Sequence, residues 1–88
     1  MTVAATRITC STSAVLLAQA GLTPMQVTIR NTDGANGMNV GTVTVAAGTG
    51  FPMAAGVQVT VLLTGGDAIY GIRSGAADVV AVVLMQTI

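Results

Sequence analysis

Apolar and polar residues alternate most clearly in residues 57–63, Val-Gln-Val-Thr-Val-Leu-Leu. Side chains of a strand point to opposite faces with period two. Val57, Val59, Val61 and Leu63 therefore share one face, and Gln58 and Thr60 the other. The tight polar turn Thr64-Gly65-Gly66-Asp67 follows, then a second short strand over 68–73. Met25–Asn31 repeats the pattern, with Met25, Val27 and Ile29 set against Gln26, Thr28 and Arg30. Residues 6–10 read as a first strand, with Ile8 and Cys10 on one face and Arg7 and Thr9 on the other. Residues 1–5 are expected to form an extended arm.

The remaining runs are less regular. Residues 14–17 read as a strand after the turn-forming Ser11-Thr12-Ser13. A short helix over 14–20 is the alternative: Ser13 would cap it, Gly21 would end it, and Ala, Leu and Gln favour it. Residues 31–37 form a loop rich in Asn, Asp and Gly. A strand restarts at Met38, Gly41 marks a bulge or sharp bend, and residues 42–46 continue extended with Val43 and Val45 on one face. Phe51 and Met53 read as core plugs at a corner, and Pro52 is barred from a central ladder. The last strand, 78–86, is apolar on both faces, with Val79, Ala81, Val83 and Met85 on one and Val80, Val82 and Leu84 on the other. A small antiparallel sheet ordinarily leaves one side wet, so this outer face is expected to be covered by neighbouring protein. The sum is all-β: one domain over 1–88, an antiparallel sandwich or small barrel of seven to eight short strands.

Composition sharpens the expectation of association. Only 7% of the 88 residues are charged (three Arg, three Asp), the formal net charge is zero, and 52% are hydrophobic. Soluble monomers carry roughly a quarter charged residues. A domain this small, with a single cysteine and no histidine, has neither a disulfide framework nor a zinc staple. Oligomerisation is then the usual source of extra stability. Three scattered arginines do not neutralise a run of phosphates, so no nucleic-acid partner is expected. The longest apolar run, 79–85, is too short to span a membrane as a helix, and the chain alone cannot build a membrane barrel. Ala18-Gln19-Ala20 resembles a signal cleavage site, but the basic and apolar regions before it fall short, so no secretory signal is expected. The lone thiol suits a reducing cytosol.

Candidate chemistry is sparse. Cys10 has no histidine to activate it and reads as a small buried hydrophobe. Asp33 and Asn36 resemble a calcium loop only faintly, with no Glu anywhere, and read instead as an Asx turn. Asp67 and Asp78 are a formal acid–base pair beside ordinary turns. Gly48-Thr49-Gly50 lacks the glycine spacing of a phosphate loop. No enzymatic activity, cofactor or metal is expected. Arg30 and Arg73 are candidates for intersubunit ion pairs, and Tyr70 for a rim residue at an interface. With Val80, Val82 and Leu84 they make the expected protein interface.

The order Val27-Thr28-Ile29-Arg30-Asn31-Thr32, Asn39-Val40-Gly41, Gly50-Phe51-Pro52-Met53 with Gly56, and Asp67-Ala68-Ile69-Tyr70-Gly71-Ile72 before a valine-rich closing strand resembles small tailed-phage virion proteins. These combine an N-x-T/S … V-G … G-F-P-L-x-x-G … L-Y-A-I pattern with a single jelly-roll sandwich. Ile69 stands for the usual Leu and Gly71 for the usual Ala. The resemblance covers residues 25–85. It implies a jelly roll and a head-decoration (cement) protein that binds the outside of an assembled capsid, commonly as a homotrimer, and braces major capsid subunits. It implies a virion location after synthesis in the host cytoplasm, and no catalytic residues. A tail, baseplate or fibre module that binds host carbohydrate is the alternative, with a concave polar patch expected at Tyr70 or the 31–37 loop. A cupin-like enzyme is the third reading, opposed by the missing histidines.

Overall fold

The computed structural model describes residues 3–87. Eight strands run in the order β1 (Val3–Cys10), β2 (Val15–Gln19), β3 (Met25–Asn31), β4 (Met38–Gly41), β5 (Phe51–Met53), β6 (Gln58–Leu63), β7 (Ala68–Arg73) and β8 (Val79–Thr87). They form two antiparallel sheets, β1-β8-β3-β6 and β2-β7-β4-β5. Successive strands cross from one sheet to the other, except for the β4–β5 pair. This is the jelly-roll sandwich, with early and late strands adjacent in both sheets. Val3–Ala5, expected as an extended arm, is the first part of β1 and pairs with β8 opposite Gln86, Met85 and Leu84. Residues 1 and 2 of that arm lie outside the described residues.

The inner faces follow the alternation. Val27 and Ile29 of β3, and Val79, Ala81 and Val83 of β8, are fully buried. Leu17, Met38, Val40, Met53 and Ile69 oppose them from the second sheet. Residues 14–20 contain a strand and no helix. The β2–β7 register shifts between Leu16 and Ala18, which lets two successive residues, Leu17 and Ala18, both face inward. The bulge explains why this run lacks a period-two signature. At the centre, Gly71 leaves no room for a side chain: an added Cβ would lie 2.9 Å from Leu17 Cδ1 and 3.1 Å from both Cys10 Sγ and Met38 Cε.

Two expectations fail around β5. Residues 42–46 are not extended. A turn bond from Val45 N–H to Thr42 C=O folds them back, so Val45 is buried while Val43 is 61% exposed. Gly50 fixes this path, because its φ is +81° and a Cβ there would stand 2.6 Å from the Val40 carbonyl oxygen. Phe51 is not a core plug. It lies opposite Val40 on the edge strand β5, where it lines an open cleft toward β6 of the other sheet, and is 56% exposed. Met53 does plug the core, and Pro52 sits on an edge strand as its missing N–H requires. Val57 precedes β6 and is exposed at its end.

Asn31 is the polar member of the inner-face series 25-27-29-31 and has no exposed surface. Its Nδ2 donates to the carbonyl oxygens of Asn36 (2.9 Å), Met53 (3.2 Å) and Ala54 (3.2 Å), and its Oδ1 accepts from Asp33 N–H (3.0 Å). The side chain thus ties β3 of one sheet to the end of β5 in the other. Removing a buried amide strands its partners at a cost of about 1–3 kcal/mol. Asn31→Ala is therefore expected to lower the melting temperature by about 10 °C at fixed protein concentration, and Asn31→Asp by more, because a carboxylate oxygen would face carbonyl oxygens. Circular-dichroism melts check this; melts coincident with the parent for both variants would remove Asn31 from its structural role.

Candidate interaction surfaces

Cross-strand register decides which of the expected interface residues meet. Paired residues of an antiparallel sheet share a face. On the outer face of the β1-β8-β3-β6 sheet, Val82 lies between Arg7 of β1 and Arg30 of β3. Val80 and Leu84 stand above and below it on β8, 37% and 39% exposed. Leu84 is flanked by Ala5 and Thr28. Four expected residues (Arg30, Val80, Val82, Leu84) are thus one patch. Arg7 belongs with them and was missed, because only the register of β1 on β8 brings it beside Val82.

Tyr70 and Arg73 are elsewhere, on β7 of the other sheet. Tyr70 is half-buried between Leu16 of β2 and Gly41 of β4. Arg73 is at the rim, and its Nη1 donates to Asp78 Oδ1 at 2.6 Å. That intrachain pair occupies the guanidinium expected to seek a neighbouring subunit. The three carboxylates all serve turns at the ends of the sandwich. Asp33 Oδ1 accepts from Ala35 N–H and Asn36 N–H, each at 2.8 Å, and these bonds hold its carboxyl below the usual range. Asp67 Oδ2 accepts from the Thr64 N–H and hydroxyl. Asp67 and Asp78 lie at opposite ends of β7 and do not pair.

A cleft of about 560 Å³ opens between the edge strands β5 and β6, lined by Val40, Gly41, Phe51, Val59, Thr60, Val61 and Ile69. It is apolar apart from Thr60 and backbone. Neither Tyr70 nor the 31–37 loop lines it; Asp33 and Asn36 bond within their own turn, and Asn31 spends its amide on that turn and on the Met53 and Ala54 carbonyls. Among the described residues no group of three or more His, Cys, Asp or Glu could hold a metal ion. No described helix is long and apolar enough to cross a membrane.

The sequence matches no protein-family model. It matches no curated protein. A solved chain described by the words "Bacillus endospore appendages form a novel family of disulfide-linked pili" is similar in fold, with a TM-score of 0.62 over 99% of this chain and 86% of that one, at 14% identity. At that identity the likeness shows the β-sandwich fold alone.

Cys10 is fully buried beneath Gly71, and burial pushes its thiol from 9.0 up to about 11. The folded state then keeps a proton that the unfolded chain releases near 9. Stability is unaffected below that value and is lost as pH rises through it toward about 11. At pH 8 the folded protein is expected to react with a thiol reagent at least about 100-fold more slowly than the urea-unfolded chain. Equal rates would show that Cys10 is accessible.

Proposed function

We propose that this chain is a structural virion protein that binds the outside of an assembled phage capsid as an oligomer, a homotrimer, and stabilises contacts between major capsid subunits. The observation that carries this reading is the aliphatic line Val80–Val82–Leu84 along the middle of a solvent-facing sheet, in a chain with six charged residues. Leu16 is likewise exposed beside Tyr70 on the outer face of the other sheet, and Phe51 is exposed in the cleft between the two sheets. Apolar surface spread over both faces of a sandwich favours contact with protein on more than one side, as a subunit between its own copies and a lattice would have. The resemblance of residues 25–85 to tailed-phage virion proteins supports the same reading.

The mechanism is mass action. A protein that binds only the assembled lattice stabilises it by its binding free energy, about 2.7 kcal/mol per site when free subunit stands at 100 times Kd. Several sites on one oligomer add avidity. A filament subunit is the second reading, prompted by the pilus chain of similar fold. That pilus is described as disulfide-linked, and the only cysteine in this sequence is buried, so a filament of this chain would assemble without such a link.

Light scattering, electron microscopy and co-sedimentation with empty capsids of the encoding phage test the proposal. A closed oligomer that sediments with capsids and raises their temperature of disruption is expected. A monomer at micromolar concentration that leaves capsids unchanged would overturn it, and open filaments without capsid binding would favour the second reading.

A further inference from the structure

We infer that the outer face of the β1-β8-β3-β6 sheet is the partner-binding face, and that it recognises an acidic protein surface with two carboxylates set on either side of an apolar contact. The inference deepens the proposed function, resting on the reading of this chain as a subunit that docks on another protein. Arg7 and Arg30 are both exposed and both lie opposite Val82, one on each neighbouring strand. Two strand spacings separate their backbones by roughly 10 Å. Neither makes an ion pair among the described residues, where the one salt bridge joins Arg73 to Asp78. Asp33, Asp67 and Asp78 are held in turns at the ends of the sandwich. Among the described residues the face therefore carries two positive charges, no carboxylate, and an aliphatic line between them.

That charge pattern selects the occupant. A two-fold contact of this face with its own copy would bring arginine-bearing faces together with no carboxylate to separate them. The chain's own aspartates do not offer the complement, because each is engaged in its own turn or ion pair. Two cations neutralise too few phosphates for nucleic acid, and the two aromatic residues belong to the other sheet, so no base-stacking platform exists here. Two basic residues also give only weak attraction to an anionic membrane, about 1 kcal/mol each. An acidic protein surface satisfies both arginines and covers Val80, Val82 and Leu84. The face measures roughly 500 Å² from strand length and spacing, against about 800 Å² per partner in a stable complex. One copy therefore binds weakly, and tight attachment needs several copies side by side.

The test uses the full chain, isotope-labelled, titrated with a glutamate–leucine copolymer, a lysine–leucine copolymer, a DNA 20-mer and anionic vesicles. Amide shifts confined to β1, β8 and β3 on adding the glutamate copolymer are expected, together with affinity that falls as salt rises. The double variant Arg7→Gln/Arg30→Gln is expected to keep its circular-dichroism spectrum and its oligomeric mass, and to bind about three- to tenfold more weakly. Shifts centred elsewhere, unchanged affinity in the variant, or tighter binding of DNA, vesicles or the lysine copolymer would overturn the inference. A variant that forms larger oligomers than the parent would make this face a self-contact held apart by the arginines, and would also overturn it. Capsid co-sedimentation retained in full by the double variant sinks the inference alone, whereas loss of capsid binding by the parent sinks the proposed function.

Discussion

The buried amide of Asn31 is the constraint on which the relative placement of the two sheets depends. Everything else between the sheets is aliphatic or sulfur-bearing, from Cys10 and Ile29 to Met38 and Met53. Burial of such groups is favourable but non-directional, and it tolerates sliding of one inner face over the other. Asn31 supplies direction. It stands at the end of β3 in one sheet and donates to the Met53 and Ala54 carbonyls at the end of β5 in the other. Its backbone N–H donates to Val57 C=O and its own C=O accepts from Gly56 N–H, which sets where β6 begins. One residue thus fixes the loop after β3, the turn before β6 and the distance between them.

Those turns consume the chain's few acidic groups. Asp33 holds the loop that Asn31 anchors, Asp67 closes the β6–β7 turn, and Asp78 neutralises Arg73 at the start of β8. The ends of the sandwich are therefore polar and internally satisfied. The broad faces are left with threonines, glutamines, aliphatics and the two remaining arginines. Surface chemistry in this protein is a residue of folding requirements: once the turns are built, the face of β1-β8-β3-β6 has, among the described residues, cations and no anions.

Much of this was legible from alternation. Met25–Asn31 and the run 57–63 emerge from period two, 68–73 from the polar turn before it, and the double-sided apolar pattern of β8 marks a strand with an exposed aliphatic face. The misreadings have separate physical causes. Val43 and Val45 favour strand, but a glycine path through Gly50 and a turn bond at Thr42 override that propensity. Alternation places Phe51 on the inner side of its strand without saying that the edge strands β5 and β6 leave an open cleft there. Asn31 looks like a turn former, because two of its carbonyl partners lie more than 20 residues away. Arg7 is one polar residue of a first strand until the register with Val82 is known, and no local pattern encodes a register between residues so distant in the chain.

The same register supplies a means by which a chain so rich in apolar residues would resist indiscriminate stacking. A flat sheet face with a continuous aliphatic line would bind its own copies as readily as any partner. Arginines on both sides of Val82 change that balance. They add little attraction where carboxylates are absent, yet against another arginine-bearing face they lose hydration without gaining a counter-charge. Specificity is a difference of affinities, and a repulsive element against the wrong partner serves it as well as a contact to the right one. The opposite sheet presents Leu16, Tyr70 and Ala68 across its outer face without any arginine in those positions. On the proposed reading, self-association would fall to that sheet and to the apolar cleft between β5 and β6, leaving the arginine-flanked face for a partner of opposite charge.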